Sequence, residues 1–429
     1  MGSVSRRPRL LFLCQTLPYP PDGGVWIRTY HVLRLLARTF DVTALCFERA
    51  GSAGECDRAA SRAALARLAE VEVFAIPQRH SRLRFAWDHA RSLARGRVYT
   101  TYLYESSAFR RRLEERVRSQ SFDLVHVDSL DLAAYLPALG DLPVVCVHHD
   151  VESALLRRRA ALERSRGRAA YLAHQARLMD TVERHWCDRV ALNVAVSDSD
   201  AALIRGKAPA ARVAVVPNGV DMDEFRPDGT AGAGVAFVGG TNPFPNLDAL
   251  DFFCGEILPH LRAAGGAGPV RWIGRASAAQ QQAYRAAHDV ELTGYAKDVR
   301  SLMSAAACHV VPLRVGGGTR LKILNSWAMG KPVVTTSIGC EGLAAQDGVN
   351  LLVRDRPEDF AAAILQVLRD GELRRRLGEA GRETAQRLYS WEVVGRHMTD
   401  LYGSVAGGPE PGRARVQEAI RVQPSYSHS

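Results

Sequence analysis

The sequence predicts an α/β protein, two doubly wound, Rossmann-like parallel-sheet halves facing each other across a cleft. Three observations lead there. Short runs that are apolar throughout recur along the chain, each ending in polar or small residues. Runs of that kind are strands buried on both faces, as in parallel sheets covered by helices. The pattern breaks once, at the Pro-, Gly- and Ala-rich stretch 225–235, and then starts again. The length of 429 residues fits about two or three domains.

Taken in order, "RLLFLC", "DVTALCF", "VEVFAI", "FDLVHVD", "PVVCVHH", "RVALNVAVS" and "RVAVVPNGV" are the strands of the first half. "WIRTYHVLRLLART", after the first of them, has helical period. "VAFVGG", "VRWIG", "VELTG", "CHVVPL", "PVVTT" and "NLLV" follow in the second half. The stretch from "PEDFAAAIL" to "LYGSV" is helical, and the chain after Gly407 has no sustained apolar period, which predicts a mobile tail.

Composition narrows the function classes. Apolar residues make up 47% and charged residues 24%, which is globular rather than disordered composition. No run of about 18 apolar residues occurs, so no membrane-spanning helix is expected. The basic N-terminus leads into apolar residues only from Leu10 to Leu13, and is read as a buried first strand rather than an export signal. None of the eight cysteines forms a C-x-x-C pair, which points to a reducing cytoplasm and no zinc site. The net charge of +10 suits a solvated arginine-rich surface, an anionic substrate or the face of an anionic membrane. Nucleic acid is not expected, because no basic stretch is interleaved with aromatics.

Ligands of open α/β sheets bind outside the carboxyl ends of the strands, so the residues there carry the argument. In "VVPLRVGGGTRLKILNSWAMGKPVV", Gly316, Gly317 and Gly318 let backbone N–H groups approach an anion closely. Thr319 is the expected N-cap of the next helix, whose N-terminus favours negative charge. Arg320 and Lys322 are expected in its first turn, where cations are misplaced unless an anion sits between them. A flexible loop with two solvated cations is the plainer alternative. The spacing is not that of a P-loop. Gly239 and Gly240 close "VAFVGG", and Gly294 with Tyr295 close "VELTG" in the same manner. In the first half, "PYPPDGG" ends in Gly23 and Gly24, with Arg28 one helical turn later. "VVCVHHDVES" places His148, His149, Asp150 and Glu152 at a strand end. A metal site there is disfavoured, because adjacent strand residues point opposite ways.

The second half, from "FVGGTNPFPNLDAL" through "ELTGYAKDVRSLM", the glycine loop and "DGVNLLV", resembles glycosyltransferase family 4. "LPYPPDGGVWIRTYHVLRLLA", "HHDVES" and "VPNGVDMDEF" resemble that family's N-terminal loops, and the likeness spans roughly residues 9–403. The resemblance implies the GT-B fold and a retaining, metal-independent sugar transfer. It implies an acceptor-binding domain at 1–228, a nucleotide-sugar domain at 229–388, a helix at 389–404 crossing back to the first domain, and a tail at 405–429. It assigns catalysis to His149, Gly24, Arg320 and Lys322. Donor binding falls to Gly23, Arg28, Gly239, Gly240, Arg275, Gly294, Tyr295, Gly316, Gly317, Gly318, Thr319 and Asn325. His148, Asp150 and Glu152 become acceptor-side candidates. The expected partners are a nucleotide-diphosphate sugar and a hydroxyl acceptor on a glycan, lipid or small molecule, with no cofactor, no metal and no nucleic acid. The expected location is the cytoplasm, with peripheral contact at the inner face of a membrane. Asn325 departs from the family, which usually has glutamate there for the ribose hydroxyls; asparagine keeps an acceptor and loses the charge. A nucleotide-sugar epimerase of the same fold and a catalytically weak partner protein are the alternatives. No G-x-G-x-x-G follows any strand, which excludes the usual NAD site.

Overall fold

A computed structural model describes residues 6–21, 23–48, 58–77, 81–241, 244–266, 268–316 and 320–407. The chain forms two compact units, one of residues 1–216 with 395–429, the other of residues 217–394.

The first unit carries β1 (Arg9–Cys14), β2 (Asp41–Glu48), β3 (Glu70–Ala75), β4 (Leu124–Val127), β5 (Val144–His148), β6 (Leu192–Ala195) and β7 (Val213–Val215). They pair in parallel in the order β3-β2-β1-β4-β5-β6-β7. Leu10 to Cys14 are entirely buried, as a central strand covered on both faces requires. The second unit carries β8 (Val235–Val238), β9 (Val270–Ile273), β10 (Glu291–Leu292), β11 (Cys308–Val311), β12 (Val333–Thr335) and β13 (Leu352–Val353). Its order is β10-β9-β8-β11-β12-β13, again all parallel. The core there is built on Trp272, stacked on Phe237 at 3.7 Å, and on Trp327, whose indole N–H donates to the Asn350 carbonyl at 2.8 Å. Among the described residues no helix is long and apolar enough to cross a membrane.

Each sheet reverses its strand order once, between β1 and β4 and between β8 and β11. The loops leaving those strands diverge to opposite faces and leave a crevice, which is where ligands of such sheets bind. The loops after β1, β4, β8 and β11 are therefore the ones to inspect.

The units divide between residues 216 and 217 rather than at 228, and between 394 and 395 rather than at 388. Local contacts explain the shift. Val220 bridges Ser390, and a Cβ on Gly219 would lie 2.4 Å from the Trp391 ring. Lys331 donates to the Thr230 carbonyl at 3.0 Å. Pro217 to Thr230 thus run along the second unit instead of linking the two. From Gly395 the chain belongs to the first unit, where Met398 and Tyr402 are fully buried and a Cβ on Gly395 would meet Leu35 at 2.5 Å. The helix Trp391–Val405 runs past the expected start of the tail, and residues 408–429 lie outside the described ones.

His309, on β11, is 2% exposed, with its ring nitrogens 2.6 Å from Ser326 Oγ and 2.9 Å from the Met303 carbonyl oxygen. Burial pushes its pKa down to about 4, from 6.5. The unfolded chain therefore binds a proton between those values that the folded one refuses, so stability falls as pH drops through the window. That window is worth about 3 kcal/mol at most. Urea titrations at pH 7 and at pH 4.5 should show His309→Gln losing less stability on acidification than the wild type; equal losses would dismiss His309 as the cause.

Candidate functional site

In the second unit the loops after β8 and β11 meet at two cations. Gly316 follows β11 with φ of 148°, and a Cβ there would lie 2.9 Å from the Arg320 guanidinium. Arg320, 8% exposed, also donates to the Ile338 carbonyl at 3.3 Å. It is the N-cap residue of the helix Leu321–Ala328, so the cap lies one residue after the expected Thr319. Thr319, Gly317 and Gly318 themselves lie outside the described residues. The helix buries Ile323, Leu324, Trp327 and Ala328, which fixes Lys322 in its first turn on the side of β8. Lys322 Nζ donates to Asn246 Oδ1 at 2.8 Å and stands 4.0 Å over the Phe237 ring. Asn246 in turn donates to the Gly240 carbonyl at 2.9 Å.

Burial, and then the charge of Arg320, hold the Lys322 pKa well below the usual lysine range. Two coupled cations, both largely withdrawn from solvent, favour an anion at the same spot. Gly239 and Gly240 border it; a Cβ at Gly239 would strike the Asn246 amide at 2.7 Å.

The other donor-side residues join this cluster through backbone. Thr241 N–H donates to the Arg275 carbonyl at 2.8 Å, and Gly274 pairs with Gly294 in an isolated bridge. A Cβ on Gly274 would lie 2.6 Å from the Gly239 carbonyl carbon, so the loops after β8 and β9 touch main chain to main chain. Arg275 lies over the exposed Tyr295 ring at 4.4 Å, an accessible planar surface beside the anion cradle. Asn325 is half-buried on the Lys322 helix, three residues further on. Asn246 and Phe237 were not among the expected site residues. A lysine packed on an aromatic face needs a residue from another element, which no local spacing reveals.

In the first unit the loop after β4 supplies a residue that the strand pattern hides. Asp128, 1% exposed, accepts from Thr29 Oγ1 at 2.9 Å, and lies 3.3 Å from His149 Nε2 and 3.5 Å from His126 Nε2. Burial alone would push its carboxyl up. The His149 charge and the two imidazoles outweigh that and hold it well below the usual carboxylate range. His126 Nδ1 pairs with the Tyr402 hydroxyl at 2.7 Å, and burial lowers the His126 pKa. A neutral ring with Nε2–H toward Asp128 and Nδ1 accepting from Tyr402 satisfies both contacts. His149 sits just past β5, 9% exposed, and is the member of this group nearest the surface.

The neighbours of His149 divide by strand parity. His148 is turned to the opposite face, 2.9 Å from Asn193 Oδ1 on β6, and burial lowers its pKa. It is a core residue, not an acceptor-side one, and it cannot share a metal with His149. Among the described residues no group of three or more His, Cys, Asp or Glu side chains could hold a metal ion. Glu152 opens the helix Glu152–Leu162. Burial, then the charges of Asp131, Asp150 and Glu183, raise its pKa well above the usual range. Asp150 is half-buried beside it.

Arg28 also departs from expectation. It is 1% exposed and donates to the Val216 carbonyl at 2.8 Å, with its pKa pushed down to about 10 by burial. Its guanidinium is turned to a main-chain carbonyl of the first unit. Gly23 is the N-cap of the helix Gly24–Leu36, and a Cβ there would meet the Trp26 ring at 2.5 Å. Its smallness is needed for local packing, and Gly24 is the first helical residue.

Residues 22–224 match the family described as Glycosyltransferase Family 4, and residues 232–370 match Glycosyl transferases group 1. The chain is 32% identical over 234 residues to D-inositol 3-phosphate glycosyltransferase of Geodermatophilus obscurus, covering 49% of this chain and 50% of that one. It is 30% identical over 221 residues to phosphatidyl-myo-inositol mannosyltransferase of Mycobacterium tuberculosis, covering 48% and 56%. It is 37% identical over 120 residues to the lipopolysaccharide core biosynthesis glycosyltransferase LpsE of Rhizobium meliloti, covering 26% and 32%. The chain thus spans about half or less of the length of these relatives. Among solved structures, Anabaena Alr3699/HepE in complex with UDP and glucose is similar at a TM-score of 0.64 and 15% identity, over 92% of this chain and 100% of that one. WaaG, a glycosyltransferase involved in lipopolysaccharide biosynthesis, is similar at 0.62 and 15%, over 92% and 99%.

Proposed function

The chain belongs to glycosyltransferase family 4 and has the GT-B fold, and from that premise we propose that it transfers a glycosyl group from a nucleotide-diphosphate donor to an acceptor hydroxyl with retention of configuration. The observation that carries the reading is the Arg320–Lys322 pair at the switch point of the second sheet. A diphosphate placed between them would neutralise both cations and meet the free N–H groups of the Leu321–Ala328 helix. The two side chains would also stabilise charge growing on the leaving phosphate, the part a metal ion plays elsewhere. Tyr295, under Arg275, offers a face for the base.

Retention needs no pair of protein carboxylates in this reading: the leaving diphosphate takes the acceptor proton on the same face. Gly24, at the start of its helix, would leave room for the sugar. His149 then orients the sugar or the acceptor hydroxyl, and Asp128 holds its ring. The raised pKa of Glu152 favours the protonated carboxyl, the form able to donate a hydrogen bond to the acceptor. Relatives named for inositol phosphate, phosphatidyl-myo-inositol and lipopolysaccharide core suggest a polyol or glycan hydroxyl, carried on a lipid at the inner face of a membrane.

The test is a thermal-shift series with UDP, GDP, TDP and ADP, each with EDTA present. One of them, UDP foremost because the HepE structure holds it, should raise the melting temperature. No shift with any of the four would sink the reading. Asn325 gives a finer check. A glutamate would add a charge-assisted bond to ribose hydroxyls, so Asn325→Glu should bind the preferred nucleotide roughly tenfold tighter by calorimetry. An unchanged Kd would remove the residue from the ribose site.

A further inference from the structure

The helix Arg82–Arg95 is mounted inside out. Its start is capped by Ser81, which accepts from Arg84 N–H at 3.1 Å, and its end by Gly96 at φ of 59°. The face turned to the first unit is polar. Asp88, fully buried, takes Arg84 Nε at 2.9 Å and Arg91 Nη1 at 3.3 Å; Ser92, fully buried, accepts from Gln175 at 2.8 Å. The face turned to solvent is apolar: Leu83 is 84% exposed, Trp87 62% and Leu93 54%. Ala86, Ala90 and Ala94 are exposed between them. Leu83, Trp87, Ala90 and Ala94 recur at the three- and four-residue steps of one helix face. An outward stripe of this kind marks a surface that something apolar covers.

The charges around the stripe say what. Arg82, Arg95 and Arg97 are exposed at its ends. Of the nearby acids, Asp88 is buried and Glu105 is already bound by Arg91 at 2.9 Å. His89 packs against Tyr171 of the helix Arg166–Cys187, ring centroids 5.4 Å apart. Arg164, Arg166 and Arg168, all exposed, stand at that helix's start, next to the half-exposed Leu162. A second copy of the chain would have to bring the same arginines against these in a self-complementary contact. A bilayer carrying anionic headgroups instead receives the apolar stripe and the arginines together.

We infer that this face is an in-plane membrane anchor, with Leu83, Trp87 and Leu93 entering the headgroup boundary of an anionic bilayer and the flanking arginines resting on its phosphates. This deepens the membrane part of the reading above, and it is tested without donor or acceptor. The full chain is sedimented with vesicles of equal phosphatidylglycerol and phosphatidylcholine, and with phosphatidylcholine alone. It should bind the first and barely the second, and high salt should weaken the binding. Leu83→Ser/Trp87→Ser should bind about tenfold more weakly or less, with an unaltered melting temperature. Arg164→Gln/Arg166→Gln/Arg168→Gln should lose affinity and much of the salt dependence. Arg320→Ala/Lys322→Ala should bind vesicles like the wild type, which separates this surface from the chemistry. The inference is overturned if the wild type ignores anionic vesicles or if Leu83→Ser/Trp87→Ser binds them equally well. It is overturned too if the stripe proves to be a dimer contact that those serines dissolve without any vesicle binding.

Discussion

Arg320→Ala/Lys322→Ala is expected to lower sugar-transfer turnover by about a thousandfold, the scale seen when preorganised charge stabilisation is removed. The two side chains act on one diphosphate, so the double change should cost less than the sum of the single ones. The fold should survive it. Lys322 is half-buried and its folded pKa is depressed. The unfolded chain binds that proton more readily, so at neutral pH the lysine opposes folding. Lys322→Met alone should therefore raise the resistance to urea while abolishing transfer, a trade seen wherever an active site is built at the expense of stability. The same shift gives a pH signature: nucleotide-diphosphate affinity should fall as pH rises and Lys322 gives up its proton. Turnover near the wild-type level in the double variant would sink the cradle, and so would an affinity indifferent to pH up to that of ordinary lysines.

The second large effect is expected at Asp128. Asp128→Asn removes the carboxylate that Thr29, His126 and His149 surround. Breaking a buried charged pair by deleting one partner typically costs about 3–5 kcal/mol, and His149 would lose the group that fixes its ring. The sign with pH is set by the depressed pKa. The carboxylate's contribution is complete above its ordinary value of 3.8 and is lost as pH falls through the lower, folded value. Wild type and Asp128→Asn should thus differ most in urea titrations near neutrality and converge in strong acid. A gap that stays constant down to pH 2 would mean that Asp128 acts through shape rather than charge. Turnover should fall as well; full activity in Asp128→Asn would show that His149 needs no such support.

Each strand was legible because an apolar run bounded by polar residues has few other uses in a domain of this size. That Arg320 and Lys322 stand where the helix after β11 begins was legible for the same local reason. What escaped depends on partners distant in sequence. "FDLVHVD" shows a strand ending in a turn; that its last aspartate collects Thr29, His126 and His149 is a matter of strand order. Parity tells us that His148 and His149 face opposite ways, but which one meets the core depends on register with β6. Arg28 was expected at the donor, and its burial was not legible because arginines are seldom buried; the Val216 carbonyl supplies an acceptor for it. The helix Arg82–Arg95 has a clear amphipathic period, and the burial of Asp88 and Ser92, with the Gln175 bond to Ser92, reveals that its polar side is the inner one.

The first unit is completed by residues made after the whole of the second. Met398 and Tyr402 fill its interior although some 180 residues of the other unit separate them from Val216. On the ribosome, at about 5–20 residues per second, the segment synthesised first must wait roughly ten seconds or more for its closing helix. During that interval a hole stays open beside His126 and Leu35. Chaperone demand should accordingly fall on the first unit, and a stop codon anywhere before Gly395 should leave that unit open.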